Sequence, residues 1–235
     1  RSDLPLDAMI IAGGKGERLK PLTDEIPKPL LKIGNKLIID HNIDRLIHFG
    51  IDNIIISVNH FSKQITEHLD KYDKKNLAIS YIKENQPLGT IGSLALANSI
   101  THDVVLVLNA DILSNIDLED FYRKFIEAGS DMSVASIPYK VNIPYAVLEV
   151  RENKITSLQE KPTYTYYSNA GIYLIKKELI QLIPHNQSFD ATDFIQLLIE
   201  KKMNISYYPI LGYWIDIGNP ADYKKAQEDI KHIKL

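Results

Sequence analysis

Val104-Val105-Leu106-Val107-Leu108, followed at once by Asn109-Ala110-Asp111, decides how this 235-residue sequence is read. Five consecutive apolar residues, three of them β-branched, leave no polar face. Such a run fits a strand buried on both sides, as in a parallel sheet covered by helices. Working outward, similar runs recur at Ala8 to Ala12, Asn53 to Val58, Ala78 to Ile82 and Met132 to Ile137. Between them lie stretches of helical period. Lys36 to Phe49 sets Ile39, Ile43, Leu46 and Ile47 along it and meets Gly50 where a helix stops. Ser62 to Tyr72, Thr90 to Asn98 and Asp117 to Ala128 read as further helices. Strands alternating with helices predict an α/β fold: a Rossmann-like, mostly parallel sheet flanked by helices and joined by right-handed crossovers.

After about residue 140 the rhythm changes. Ala146 to Val150 and Ile155 to Glu160 read as a hairpin around Glu152-Asn153. Asn169 to Ile175 is a strand, Asp190 to Lys202 a helix capped by Asp190, Ile205 to Pro209 a strand, and Pro220 to Lys231 a closing helix. No linker-like tract or internal repeat interrupts the chain. One domain over residues 1–235 is expected, its second half adding substrate-facing strands to the sheet.

Composition narrows the function. The absence of cysteine excludes disulfides, thiolate zinc sites, iron–sulfur clusters and a cysteine nucleophile. It also makes the cytoplasm the default location. The net charge of -3 lacks the basic excess of a duplex nucleic-acid binder. No apolar run approaches the ~18 residues of a membrane helix. Neither nucleic acid nor a membrane is therefore expected as a partner. The opening Arg1-Ser2-Asp3-Leu4-Pro5 has neither an initiator methionine nor the pattern of a signal peptide. It reads as a cloning scar or as a boundary inside a longer protein. The histidines at 41, 48, 60, 68, 102, 185 and 232 show no tight ligand spacing.

In open α/β sheets ligands sit beyond the carboxyl ends of the strands. That directs attention to Gly13–Arg18, Glu84–Thr90, Asn109–Asp111 and Trp214–Gly218. The glycine loop fails two familiar tests. A Walker loop needs Ser or Thr after its lysine, and Lys15 is followed by Gly16. A dinucleotide fingerprint needs a third glycine where Leu19 stands. A phosphate cradle with Arg18 beside it and a plain strand-to-loop turn stay equally open. Lys28 sits between Pro27 and Pro29 on stiff extended backbone. That suits a cation aimed at a fixed target, though a solvated loop lysine would read the same.

The ordered set of blocks is more specific than any one of them. Ala12-Gly13-Gly14-Lys15-Gly16-Glu17-Arg18-Leu19 with Pro21-Leu22-Thr23 and Pro27-Lys28-Pro29 resembles the signature of the sugar-phosphate nucleotidyltransferases, or NDP-sugar pyrophosphorylases. The resemblance continues through Pro87-Leu88-Gly89-Thr90, Asn109-Ala110-Asp111, Glu160-Lys161-Pro162, Asn169-Ala170-Gly171 and Trp214-Ile215-Asp216-Ile217-Gly218. It spans residues 8 to about 223.

The resemblance implies the nucleotide-diphospho-sugar transferase fold and a reaction. A nucleoside triphosphate, GTP favoured, and a sugar 1-phosphate would give an NDP-sugar and pyrophosphate with Mg2+ as cofactor. It implies a nucleotide site of Ala12, Gly13, Gly14, Gly16, Arg18, Glu84, Gly89, Thr90 and Asp111. Glu84 and Gln86 lie on the same approach to the base, and Lys15 is a further candidate at the triphosphate, less constrained in the glycine loop. Lys28, Glu160, Lys161, Asn169 and Gly171 would bind the sugar phosphate, with Asp193 a weaker candidate. Asp111 and Asp216 would hold the metal, and Arg18 and Lys28 would complete the catalytic set. Taken singly, Asp111 is equally a loop cap, Asp216 a turn former, Gly89-Thr90 a helix start, and Glu160-Lys161 an exposed pair. Ala110 departs from the glycine usual there, which matters only if that residue needs a positive φ.

The Leu4-Pro5-Leu6-Asp7 entry, Pro144 to Glu149 and Glu160 to Tyr164 look like the branch of guanylyltransferases that carries paired CBS domains ahead of the transferase. A regulatory CBS pair in the full-length protein and a homo-oligomer are expectations on that basis. Three rivals stand beside this reading. They are a UTP-, CTP- or dTTP-specific transferase of the same family, a nucleotide-sugar-binding regulatory subunit without turnover, and a glycosyltransferase that uses nucleotide sugars. The last usually shows a D-x-D metal motif, which Asn109-Ala110-Asp111 lacks.

Overall fold

The computed structural model describes residues 3–59, 61–70, 72 and 77–235. Arg1, Ser2, His60 and Lys71, within the expected helix Ser62 to Tyr72, lie outside the described residues. In chain order the first half holds β1 (Asp7–Ile11), β2 (Lys32–Ile33), β3 (Lys36–Leu37), α1 (Ile38–His48), β4 (Asn53–Val58), α2 (Ser62–Leu69), β5 (Ala78–Lys83), β6 (Val104–Asn109), β7 (Ile112–Ser114) and α3 (Leu118–Glu127). The second half holds β8 (Met132–Asn142), β9 (Val147–Arg151), β10 (Lys154–Gln159), β11 (Thr163–Lys176), α4 (Ala191–Glu200), β12 (Ile205–Pro209), β13 (Trp214–Asp216) and α5 (Pro220–Asp229).

Seven strands form one sheet in the order β12-β8-β11-β6-β1-β4-β5. β1 is parallel to β4 and β6, β4 to β5, and β8 to β12. Only β11 runs antiparallel, against both β6 and β8. The expected mostly parallel sheet is therefore present, with one reversed strand. Alternation along the strands explains the layers. Ala8, Ile10, Ile54, Ile56, Leu106 and Leu108 face one way, into a core with Ile43 and Leu46 of α1 and Phe121 and Phe125 of α3. Met9, Ile55, Val105 and Val107 face the other way, against Phe194 and Leu198 of α4.

A third, smaller cluster lies outside the sheet. Leu19, Leu31, Ile33, Ile38, Leu113, Ile215, Ile217 and Ala226 pack together there. It fastens the segment after the glycine loop to β7, β13 and α5. The three-residue strands β7 and β13 pair antiparallel, Asp216 opposite Ile112.

Three expectations change. Lys28 is not on extended backbone: Lys28–Leu30 forms a 3-10 turn closed by Leu31 N–H donating to Lys28 O at 3.1 Å. Thr90 to Asn98 is not an α-helix: Gly92–Leu96 forms a 3-10 turn. Ile91 N–H and Gly92 N–H both donate to Phe189 O, so this backbone is spent on a distant loop. The strands expected at Met132 to Ile137 and Asn169 to Ile175 are longer. β8 and β11 continue their pairing through Tyr139–Tyr166 to Asn142–Thr163. Their paired ribbon runs on past the carboxyl end of β6, since β6 pairs β11 only over Val104–Leu108. At its tip stands the β9–β10 hairpin, turned by Glu152 (φ 47) and Asn153 (φ 62). Positive φ at both central residues is the type I′ signature of a two-residue hairpin.

Candidate active site

The carboxyl ends of β1, β5 and β6 and the middle of the reversed β11 meet on one edge. β1 delivers Ala12-Gly13-Gly14 into a cleft of about 270 Å³. Lys28, Glu84, Leu88, Gly89, Thr90, Asn109 and Asp111 line it as well. A second cleft of about 340 Å³ is lined by Asn169, Gly171, Asp190, Trp214 and Asp216. Thr90 and Asn109 border both clefts, so the two are neighbours divided by a shared wall.

The glycine loop needs its glycines for two reasons. A methyl group on Gly13 would lie 2.9 Å from Glu84 Oε1, so the buried Glu84 carboxylate would have to move. Gly16 has φ +66, and its carbonyl accepts a 2.7 Å hydrogen bond from the Thr23 hydroxyl. Ala110, by contrast, is absent from the positive-φ residues, so alanine there costs nothing.

Glu84 reaches the cleft wall from a buried position. It is buried beneath Gly13, and its Oε2 accepts from Leu88 N–H at 3.3 Å. Burial pushes its carboxyl above the ordinary range, against the pull of Leu88 N–H and the hydroxyls of Ser57 and Ser93. Gln86 turns away, donating to Asn186 O at 2.7 Å.

Gly89 and Thr90 are fixed by the start of α4. Gly89 has φ +76, and a methyl group there would lie 2.7 Å from both Asp190 Oδ1 and Phe189 O. Thr90 N–H donates to Asp190 Oδ1 at 2.8 Å, and Ala191 N–H donates to the Thr90 hydroxyl at 2.8 Å. Thr90 thus helps cap α4 rather than a helix of its own. Asp193 completes a capping box with Asp190, which explains it without a sugar.

The charged centre lies between the clefts. Lys28 Nζ meets Asp111 Oδ2 at 2.5 Å, with the lysine side chain only 11% exposed. Ile217 N–H donates to Asp111 O at 3.0 Å, so the β7–β13 ribbon brings Asp216 near Asp111. Burial raises the Asp216 carboxyl above its ordinary 3.8, and the Asp111 charge raises it further. Lys28 and Arg18 pull it back down. Asp216 Oδ1 is buried without a hydrogen-bond partner among the described residues. Two crowded carboxylates, one with an orphaned oxygen, fit the donor set of a magnesium ion that takes its remaining oxygens from phosphates and water. Arg18 is exposed beside them. A methyl group on Gly218 would lie 3.4 Å from Arg18 Nη2 and 3.4 Å from Asp222 Oδ2.

On the sugar side, Asn169 Oδ1 accepts from Gly171 N–H at 2.9 Å, and Gly171 (φ +71) lies against the Asn109 amide. Trp214 Nε1–H donates to Ala170 O at 2.9 Å, pinning this turn to β13. Glu160 and Lys161 are not brought in. Both are exposed, neither lines a cleft, and they precede β11 at the ribbon's far end. At ~3.3 Å per residue, the strand from 163 to 169 spans on the order of 20 Å. Two residues that sequence reasoning did not place at the site are Asp190 and Asp222. Asp190 was legible as a cap, but nothing in the sequence paired it with Thr90.

The nucleotidyl transferase family model matches residues 7–233. Mannose-1-phosphate guanyltransferase of Schizosaccharomyces pombe is 32% identical over 228 residues, covering 93% of this chain and 62% of its own. The chain thus spans less than two thirds of that relative. D-glycero-alpha-D-manno-heptose 1-phosphate guanylyltransferase of Aneurinibacillus thermoaerophilus is 30% identical over 233 residues, covering 97% of this chain and 99% of its own. The crystal structure of HddC from Yersinia pseudotuberculosis complexed with GMP-PN superimposes with a TM-score of 0.74 at 28% identity, covering 96% of this chain and 99% of that one.

Proposed function

The chain belongs to the nucleotidyl transferase family, and we propose that it joins GTP to a sugar 1-phosphate, giving a GDP-sugar and pyrophosphate. One observation carries the reading: Lys28, Asp111, Asp216 and Arg18 converge where the glycine-loop cleft meets the Asn169–Gly171 cleft. Guanine is favoured because the relatives above are named as guanylyltransferases.

The chemistry asks for little covalent help. The nucleophile is a phosphate oxygen of the sugar 1-phosphate, already largely ionised because a phosphate monoester has a second pKa of ~6. It bonds to the α-phosphorus of the triphosphate, and the bond from that phosphorus to the β-phosphate oxygen breaks. No general base is needed. The task is to hold two polyanions together and stabilise the departing charge. The loop of Ala12, Gly13, Gly14 and Gly16 offers backbone N–H groups to the triphosphate. Lys28 supplies a point charge and Arg18 a planar fork at the phosphates. Asp111 and Asp216 would hold magnesium, which neutralises phosphate charge. Gly89 and Thr90 border the base, Asn169 and Gly171 the sugar. Glu160 and Lys161 reach the sugar phosphate only if the ribbon that bears them bends inward.

Pyrophosphate release, measured with magnesium across five triphosphates and a panel of hexose, hexosamine and heptose 1-phosphates, tests the reading. Release that requires GTP and one sugar phosphate together is expected. Tight GTP binding without release from any pair would make the chain a non-catalytic nucleotide binder.

A further inference from the structure

Among the described residues one side-chain amide is buried, that of Asn42. It sits on α1 at 5% exposure, beside Ile39, Ile43 and Leu46, on the face that packs into the core with Leu106 and Leu108. Burying an amide is costly unless its groups find partners, and a leucine would fill the position without that cost. The Asn42 amide finds its partner far along the chain, where Nδ2–H donates to Ala110 O at 3.3 Å. Ala110 precedes Asp111, and its carbonyl belongs to the peptide from which Asp111 hangs. Ala110 N–H donates to Ile11 O at 2.9 Å, and Ile217 N–H donates to Asp111 O at 3.0 Å. The backbone at Asp111 is thus held from β1, from the end of β13 and from α1. Three residues further along α1, Arg45 donates to Ile116 O, beyond the far end of β7. Residues three apart share a helix face, so α1 grips the segment 110–116 at both ends from one side. That segment carries Asp111 and, through β7, sets the register of β13, with Asp216 opposite Ile112. Neither Asn42 nor Arg45 lines either of the two clefts.

We infer that Asn42 is a positioning residue for the metal ligands: by holding Ala110 O it fixes the peptide that aims the Asp111 carboxylate at an ion shared with Asp216. This rests on the proposed reaction, in which that carboxylate holds magnesium. Without the amide donor, Ala110 O would lie unpaired beside Leu108 and Ile112, and its peptide would turn to find another partner. Magnesium demands near-ideal octahedral geometry, so a small swing of one carboxylate is enough to weaken its grip. The loss falls on the ion more than on the nucleotide. Gly89 and Thr90 are held by Asp190 and Phe189, and the glycine loop leaves β1 ahead of the gripped segment.

Mn2+ in place of magnesium gives a readout that does not depend on turnover, because electron paramagnetic resonance separates free ion from protein-bound ion. With the chain in excess over GTP, Asn42→Leu should weaken Mn2+ binding at least ~10-fold, the low end of what losing a residue behind a metal ligand costs. The magnesium needed for half-maximal pyrophosphate release should rise by a similar factor. Leu46→Ala is the control. Leu46 is 1% exposed on the same helix and in the same core, so this variant loses packing but keeps the donor to Ala110 O. It should melt lower than wild type and bind Mn2+ as wild type does. Asn42→Ser withdraws the amide with a smaller side chain and should match Asn42→Leu, which covers a leucine variant that fails to fold. Wild-type Mn2+ affinity in the Asn42 variants overturns the inference and leaves Asn42 a core residue. Equal weakening by Leu46→Ala overturns it too, since loose packing would then be the cause. Mn2+ binding unchanged by Asp111→Asn would instead remove the metal site of the proposed function, and the role of Asn42 with it.

Discussion

Asp216→Asn should make the protein more stable and nearly inactive at once. The wild-type carboxylate is held at a cost. Burial and the Asp111 charge both raise its pKa, and Oδ1 lies buried without a partner. The gain comes from removing the charge, since the asparagine amide still leaves a polar atom unpaired at the Oδ1 position; a pKa displaced by one corresponds to ~1.4 kcal/mol. Asp216 is only half-buried, and Lys28 and Arg18 offset part of the cost, so about 1 kcal/mol is expected back. For a domain of this size that raises Tm by ~2–4 °C. Turnover should fall on the order of 10²–10³, the loss typical when one preorganised electrostatic partner is removed. Calorimetry and pyrophosphate release on the same preparation measure both. Magnesium with GTP should raise the wild-type Tm and leave that of the variant nearly unmoved. The raised pKa adds a pH signature. Protonation that turns off the metal grip begins above the ordinary 3.8, so the magnesium requirement should rise as pH falls through that range. A variant that melts lower than wild type and keeps its turnover would refute the reasoning.

Three further outcomes follow from the geometry. Lys28→Met should lower turnover by ~10²-fold or more with little change in the KM for GTP, because its charge is wanted most in the transition state; steady-state kinetics with an unchanged kcat would remove Lys28 from the chemistry. Gly89→Ala should cost ~2–4 kcal/mol, from the left-handed backbone and from forcing the loop off Phe189 and Asp190, and should weaken GTP binding; an unshifted urea midpoint contradicts this. For Asp7, burial raises the carboxyl, but donors from His102, Asn53 and Thr101 outweigh it and hold the group below 3.8. Its contribution is present above that value and lost as pH falls through the lower folded one. Asp7→Asn should therefore destabilise by ~2 kcal/mol near neutrality, with the gap closing in acid; a gap independent of pH would show that another group is responsible.

The parallel core was legible because Val104–Leu108 and Asn53–Val58 are buried on both faces, and such runs leave few alternatives to a covered strand. The 3-10 turn at Gly92–Leu96 was not, because its backbone answers to Phe189, far along the chain. The site was legible as a set of blocks but not as a set of roles. Glu84 follows β5 as expected and lines the cleft, but it does so from a buried position under Gly13. Asp190 reads as a helix cap and also clamps Thr90, a pairing that local pattern cannot reveal. Strands of three residues such as β7 and β13 carry no periodicity, so the nearness of Asp111 and Asp216 could be reached only through the family resemblance.

The single reversal at β11 has a consequence for how such a chain can diversify. β1, β5 and β6 bring their loops to the triphosphate side at the ends of parallel strands. β11 brings Asn169 and Gly171 to the sugar side at the register shift in its middle, after the excursion through the hairpin. Residues gained or lost between 142 and 163 would therefore lengthen or shorten an exposed hairpin without shifting the register of any strand that handles the nucleotide. The two halves of the reaction can drift separately, and a change of sugar need not disturb the choice of base.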